Sequence, residues 1–299
     1  MSRPGPHHPA PFNATVALVV AAALFGVTFV VVKEAVASFP PIAFVAWRFL
    51  LGGVLLLALA RPRGGSVWKD GAIAGIALFT GYALQTAGLT LTGASNSALI
   101  TGLYVVFTPL LVAVVARRAP DPWVFVGTVV GFVGMALLTT GEGLALGPGD
   151  LLTLGCAVAF AAHITILARL ARRHPVVPFT AVQLLVTSAL GFGLSIPMEG
   201  WAVPGPGVWG ALLLTGIGVS AVAFMLQVWA QIRVGPSRTA MVLGMEPIFG
   251  VATAAVVLGE RLTLGGWVGA GLILGAVYLV IVKEPEPQAV AAEALSQGH

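Results

Sequence analysis

The polar or charged side chains inside long apolar stretches of this sequence include Arg48, Gln85, His163, Gln227 and Glu246. A polar side chain in an apolar span is costly, so each is a candidate for lining a pathway or a binding site. A glutamine amide has two donors and an acceptor oxygen, which suits the amino or carboxylate group of a small solute. For Gln85 and Gln227 the alternative is a hydrogen bond between packed helices.

The three ionisable side chains of this set allow several roles. Histidine changes charge near neutral pH, so His163 could shuttle protons, line a cavity or remain a neutral, hydrogen-bonded group. Burying the Glu246 carboxylate in lipid costs roughly 2.5 kcal/mol or more, so it needs a partner, water or a proton. It could serve the structure or bind substrate or a proton, while Arg48 could be paired, snorkelling, structural or a substrate clamp. The sequence leaves these roles open.

Aromatic residues in the same stretches point to the kind of solute that such a site would hold. Trp47, Tyr82, Tyr104 and Trp229 could form an amphipathic wall for aromatic substrates. The alternative is that tryptophan and tyrosine near helix ends anchor the protein at the membrane surface. We predict that these four residues belong to the substrate site.

Two prolines, Pro109 and Pro247, fall within apolar stretches and predict bends. Each removes a backbone hydrogen bond and leaves a carbonyl group unpaired, which for Pro247 is that of Leu243. We predict hinges at both prolines, with a static kink as the alternative.

Composition excludes a soluble domain. Hydrophobic residues make up 58% of the 299 residues and charged residues 9%, whereas soluble domains have about 25% charged residues. The single cysteine, Cys156, cannot form an internal disulfide, and no cysteines or histidines stand at metal-ligand spacing. The sequence has neither a Gly-Lys-Ser/Thr phosphate loop nor a visible nucleophile and base. We therefore predict no metal, no cofactor and no enzyme.

The apolar stretches have the length of membrane spans. Ten helices of about 20 residues match a hydrocarbon core of roughly 30 Å. They are predicted over residues 14–32, 42–60, 71–89, 96–116, 122–139, 151–168, 176–197, 208–231, 238–258 and 263–282. The fold class is therefore an all-α integral membrane protein with ten transmembrane helices. Loose tails are predicted before the helices at 1–13 and after them at 284–299.

The basic residues orient these predicted spans. Apart from Lys33, Arg261 and the intramembrane Arg48, every lysine and arginine falls on one side of the ten-span arrangement. By the positive-inside rule that side is cytoplasmic, which predicts a multi-pass protein of the cell inner (plasma) membrane with both termini inside. The net charge of +4 lies in short loops beside apolar helices, so membrane lipid is the predicted partner and nucleic acid is not.

The chain also aligns with itself. The aligned pairs at a shift of 135 or 142 include Phe25 with Phe160, Arg48 with Gln183, Gln85 with Gln227, and Gly102 with Gly244. Each predicted repeat, 14–140 and 141–283, holds five helices, and because five is odd the second copy crosses the membrane in the opposite sense. Inverted repeats of this kind are typical of alternating-access transporters. Chance identity between Gly- and Ala-rich helices is the alternative.

Several of these residues resemble a known family. The residues concerned are Ala22-Ala23-Leu24-Phe25-Gly26, Pro40-Pro41, Trp47-Arg48, Met245-Glu246-Pro247 and Leu258-Gly259-Glu260-Arg261-Leu262-Thr263. Together they resemble EamA-type carriers of the drug/metabolite transporter superfamily over about residues 14–283. The first half departs from the pattern, since Arg117-Arg118-Ala119-Pro120 stands where the counterpart of Gly259-Glu260-Arg261 would be. The resemblance implies export or exchange of small metabolites, and its YddG-like branch implies amino acids, especially aromatic ones.

These observations predict an inner-membrane transporter that exports small metabolites, including aromatic amino acids, by alternating access around a central cavity. We predict a uniporter, because buried acidic residues are scarce. The alternatives are a proton-coupled drug/metabolite antiporter and an integral membrane enzyme. Small-residue spacings such as Gly127 and Gly131 permit close helix packing. We assign this packing to contacts within a monomer, with a dimer interface as the alternative.

Overall fold

The structure, a computed structural model, describes residues 11–117, 122–139 and 147–283. The regular elements of these ranges are all helices, as expected where backbone groups must be satisfied within each segment in lipid. The first half contains α1 (Pro11–Val36), α2 (Pro41–Leu59), α3 (Gly65–Leu89), α4 (Ala94–Thr101), α5 (Tyr104–Ala116) and α6 (Pro122–Thr139). The second half contains α7 (Pro148–Leu170), α8 (Val176–Glu199), α9 (Pro206–Leu213), α10 (Val222–Val234), α11 (Pro236–Leu243), α12 (Glu246–Val257) and α13 (Leu264–Lys283). Residues 1–10 and 284–299 of the predicted tails lie outside the described residues.

Within the described ranges, seven helical segments are long and apolar enough to cross a membrane. They are Asn13–Val36, Pro41–Leu59, Gly65–Leu89, Ala94–Val115, Pro148–Arg173, Val176–Glu199 and Pro206–Val234. Shorter apolar helices follow at Glu246–Val257 and Leu264–Ala276. The protein is therefore an all-helical, multi-pass membrane protein.

Two of the predicted spans are broken near their middle. The fourth is divided at Gly102 and Leu103, between α4 and α5, and the ninth at Gly244 and Met245, between α11 and α12. Pro247 follows the second break directly, but Pro109 lies inside the continuous helix α5 and does not interrupt it. The glycine at the first break allows close packing, because a Cβ atom on Gly102 would lie 2.5 Å from Pro247 Cγ. The two breaks thus lie against each other.

The eighth span contains a wide helical turn that the sequence did not predict. Residues Leu214–Ala221 form a π-helix between α9 and α10. A Cβ atom on Gly52 would lie 2.7 Å from the Gly216 carbonyl oxygen, so this segment and α2 are in backbone contact. Such π segments often accompany functional sites because they redirect side chains within a helix.

Helices of the two halves pack against one another throughout the bundle. In the first half, α1 contacts α10 and α12; in the second, α7 contacts α3 and α5. The remaining major pairs are α2 with α8, α3 with α8, and α6 with α13. Glycines allow the close approach of α1 and α12, since a Cβ atom on Gly26 would lie 2.6 Å from Phe249 Cβ and 2.7 Å from the Glu246 carbonyl oxygen.

We predict that Gly26→Ala destabilises the protein. The added methyl group meets backbone atoms of α12 and cannot be accommodated without separating the helices, and such overpacking costs about 1–3 kcal/mol. Thermal unfolding in detergent measures the effect. Gly193→Ala in α8 is the matched control, because a Cβ atom there meets nothing within 4 Å. Equal unfolding temperatures for the two variants would contradict the proposed contact.

Candidate functional site

A small cavity lies among α1, α3, α5, α7, α10, α11 and α12. Its lining residues are Phe25, Tyr82, Tyr104, Phe160, His163, Ile164, Phe224, Gln227, Leu243 and Glu246. Aromatic and aliphatic groups dominate, and a few polar groups stand among them. This composition is typical of sites that hold a small molecule by its apolar surface and orient it by a few polar contacts.

The breaks in the fourth and ninth spans supply one polar pair. Tyr104 opens α5 and Glu246 opens α12, so both follow a break directly. The Tyr104 hydroxyl donates to Glu246 Oε2 over 3.3 Å. Glu246 is 6% exposed and lines the cavity, so a carboxyl group faces the cavity.

His163 supplies a second polar group from α7. Its Nε2 lies 2.8 Å from Gln183 Oε1 in α8, and because an amide oxygen accepts hydrogen bonds, Nε2 is the donor in this arrangement. In a neutral ring, Nδ1 is then the acceptor. The other end of the Gln183 amide, Nε2, has no hydrogen-bond partner within the described ranges. The pair could therefore accept a hydrogen bond at His163 and donate one at Gln183.

An aromatic cluster surrounds these polar groups. Phe224 lies 5.0 Å from Phe25 and 5.9 Å from Tyr82 between ring centroids, and Tyr82 lies 5.1 Å from Phe160. These rings meet edge to face or tilted, which is a favourable arrangement. The guanidinium of Arg48 lies 4.8 Å from the Tyr82 ring centroid, although Arg48 itself does not line the cavity. The cavity wall is thus aromatic, with a cation behind Tyr82.

The structure brings together five of the predicted site residues at the cavity: Tyr82, Tyr104, His163, Gln227 and Glu246. Besides Arg48, it places three others elsewhere. Gln85 Nε2 donates to Thr101 Oγ1 over 3.3 Å, so this amide links α3 to α4 and does not line the cavity. Trp47 Nε1 donates to the Ala202 carbonyl, and its ring packs on Phe192 and Trp209. Trp229 carries the exposed Arg233 guanidinium 4.1 Å above its ring.

Sequence reasoning missed the apolar part of the cavity, namely Phe25, Phe160, Ile164, Phe224 and Leu243. A signal existed for the first two, because Phe25 and Phe160 are aligned by the shift of 135. The others could not be distinguished from lipid-facing residues, since an apolar side chain in a membrane helix looks the same on either face.

Carboxylates also join the two halves at one end of the bundle. Glu260 accepts from the Ala94 and Ser95 amides at 3.0 and 2.9 Å, where α4 begins. Glu199 accepts from the Ile42 and Ala43 amides at 2.9 and 2.8 Å, near the start of α2. Each carboxylate accepts hydrogen bonds from amides that have no partner within their own helix. Its negative charge also interacts favourably with the positive end of the helix dipole. We call the end that contains Glu199 and Glu260 the capped end.

At the opposite end, His174 Nε2 and Asp70 Oδ2 lie 2.7 Å apart, which joins α3 to the segment after α7.

Partial burial opposes ionisation of Glu260, but the amides of Ser95 and Ala94 and the charge of Lys33 outweigh this effect and lower the pKa of the carboxyl group. Glu260 is therefore ionised at neutral pH and bridges the two halves at the capped end.

We predict that the Glu260 bridge is lost in acid. Because its pKa is lower in the folded state, Glu260 stabilises the protein above its unfolded pKa, and this contribution disappears as the pH falls through the lowered value. At pH 7, Glu260→Gln should unfold about 2–4 °C below the unmodified protein, the size of a lost helix cap. That difference should shrink as the pH is lowered. Glu34→Gln, at an exposed residue, is the control, and a difference that does not vary with pH would refute the bridge.

Comparison with known proteins identifies the family. The sequence model of the EamA-like transporter family matches residues 13–140 and 147–282. An uncharacterized transporter of Archaeoglobus fulgidus is 34% identical over 275 residues, which cover 90% of this chain and 86% of that protein. The uncharacterized transporter YvbV of Bacillus subtilis is 28% identical over 287 residues, covering 90% of this chain and 91% of its own.

A solved crystal structure has the same fold. It superposes with a TM-score of 0.68 at 23% identity and covers 91% of this chain and 97% of its own. At that identity the likeness concerns the fold alone. The matched sequence stretches together span nearly all the described residues, and the chain therefore belongs to the EamA-like transporter family, a family of membrane transporters.

Proposed function

We propose that the protein is a carrier that exports small metabolites, in particular amino acids including aromatic ones, across the inner membrane. The observation that carries this proposal is the cavity, where aromatic rings surround Gln227, His163 and Glu246. Rings bind the apolar part of an amphipathic solute, and the amide, imidazole and carboxyl groups orient its polar part. The relatives named as transporters support transport in general.

We propose further that ten spans form two inverted five-helix repeats, 14–140 and 141–283. The two stretches matched by the family model are supporting evidence, because they are separated close to the same boundary. Reciprocal packing is also supporting evidence: α1 contacts α10 and α12, and α7 contacts the counterparts of these helices, α3 and α5. Two copies related by a twofold axis in the membrane would give such reciprocity.

Alternating access follows from this arrangement. The capped end is held by carboxylate bridges between the halves, whereas the opposite end has the His174 and Asp70 pair. Hydrogen bonds to helix ends can form and break as rigid units separate, which is what exposure of a central site to each side in turn requires. Both termini are cytoplasmic in this proposal, by the distribution of basic residues, and the carrier acts as a monomer with membrane lipid around it.

The driving force has two candidates. A uniporter needs no group that changes charge, and the scarcity of acidic residues in the spans supports it. Proton antiport is the second candidate, because Glu246 lines the cavity and has Tyr104 as its one recorded side-chain hydrogen-bond partner among the described residues. A carboxyl group of this kind could exchange a proton for substrate. A membrane enzyme would instead convert its substrate chemically.

We predict that Gln227→Ala and His163→Ala weaken transport in liposomes. Each removes a polar contact of the cavity, and a lost hydrogen bond of about 1 kcal/mol raises the KM for substrate roughly fivefold. The measurement is counterflow of labelled amino acids, with and without a pH gradient. Gln85→Ala is the matched control, because the same side chain at the aligned position lies outside the cavity, so its KM should stay unchanged.

The outcomes separate the candidates. Saturable counterflow supports a carrier, and accumulation driven by a pH gradient but abolished in Glu246→Gln supports antiport over uniport. Ion currents or a chemically altered product would refute the carrier. Unchanged KM values in both cavity variants would refute the site.

A further inference from the structure

Arg48 is a cation that the surrounding protein does not fully satisfy. It is 1% exposed, which excludes snorkelling to the membrane surface. Its Nε donates to Ser220 Oγ over 2.8 Å, while its Nη2 has no hydrogen-bond partner among the described residues. A guanidinium has five N–H donors, so one serine hydroxyl meets a small part of its capacity.

Aromatic contacts do not replace the missing anion. The Arg48 guanidinium carbon lies 4.8 Å from the Tyr82 ring centroid and 5.4 Å from that of Phe49. Such cation–π contacts are worth about 0.5–2 kcal/mol each, which is less than the cost of burying an unpaired charge. The ion pair found within the described ranges joins His174 and Asp70, so no carboxylate of those ranges lies within 4 Å of Arg48.

The backbone around Arg48 holds it in this position. A Cβ atom on Gly216 would lie 2.8 Å from the Arg48 carbonyl oxygen, so α2 touches the π-helix Leu214–Ala221 at this residue. Ser220 belongs to that π-helix and receives the Nε hydrogen bond. The guanidinium is therefore fixed by an irregular segment of the eighth span, with Nη2 left as a free donor.

The position of Arg48 relative to the cavity gives this free donor a use. Tyr82 separates the guanidinium from the cavity, because it lines the cavity and also carries Arg48 against its ring. Glu246 lines the same cavity. A molecule in the cavity would touch the carboxyl group directly, and it would reach the guanidinium only if the Tyr82 ring moved aside.

We propose that Arg48 binds the carboxylate of the transported molecule and, with Glu246 facing its ammonium group, selects zwitterionic α-amino acids. This inference rests on the proposed carrier function and names its substrate class. A guanidinium and a carboxylate form short, charge-assisted hydrogen bonds, which supply the anion that Arg48 lacks. Amines without a carboxylate gain nothing from Arg48 and bind through Glu246 and the aromatic wall alone.

The test compares two competitors in proteoliposomes. L-Phenylalanine carries both charged groups, whereas phenethylamine has the same ring and amine without the carboxylate. In the unmodified protein and in Arg48→Lys, each competitor is tested against counterflow of labelled phenylalanine. In Arg48→Gln, each competitor is tested against counterflow of labelled phenethylamine. Arg233→Gln is the matched control, since Arg233 also stacks on an aromatic ring but is exposed. Thermal unfolding of every variant verifies folding.

We expect phenylalanine to compete more strongly than phenethylamine in the unmodified protein. In Arg48→Gln, the phenylalanine concentration needed for half-maximal competition should rise about tenfold or more, while that of phenethylamine stays unchanged. Arg48→Lys should retain part of the preference and Arg233→Gln all of it. Equal weakening of both competitors in Arg48→Gln, or no preference in the unmodified protein, overturns the inference while the carrier function stands. Absence of counterflow for every solute in the unmodified protein overturns the carrier function itself. If Arg48→Gln does not fold, the folded Arg48→Lys decides by the same comparison of competitors.

Discussion

The close contact between two broken helices is the constraint on which the rest of this structure depends. In lipid, a helix can be interrupted only where other parts of the protein satisfy or enclose the freed backbone groups. Here the breaks after Thr101 and Leu243 meet, with Gly102 against Pro247. Their contact places Tyr104 and Glu246 at the starts of new helices and within hydrogen-bond distance. A larger residue at Gly102 would separate the breaks and, with them, this polar pair.

Most polar side chains in the described part of the bundle are satisfied, and the exceptions are instructive. Thr101, Thr108 and Thr187 are fully buried and bond within the bundle. Five buried side-chain atoms of the described ranges have no hydrogen-bond partner, and two of them are Arg48 Nη2 and Gln183 Nε2. The side chains of Arg48 and Gln183 each contact a residue of the cavity wall. These two residues are also aligned by the internal shift of 135. Unmet donors beside a cavity are what a carrier needs in order to bind a polar solute and release it again.

The sequence predicted an all-helical, multi-pass membrane protein, because hydropathy over about 20 residues directly reflects the thickness of a bilayer. The candidates it singled out because polar groups in spans are costly include His163, Gln227 and Glu246, which line the cavity. Trp47 lies away from the cavity, where its indole nitrogen donates to the Ala202 carbonyl far along the chain. The π-helix, the break at Gly102 and the Glu199 and Glu260 caps arise from contacts between halves, which no local pattern contains.

Alternating access is the central claim, and distances between spin labels at the two ends test it most directly. Replacing the buried Cys156 leaves a background without cysteine for labels at Thr90 and Arg261 on the capped end, and at Trp68 and Arg172 on the opposite end. All four residues are exposed. In liposomes, substrate should change the two distance distributions in opposite senses, so that one end widens as the other narrows. Distributions that do not change, or that widen together, would contradict the account.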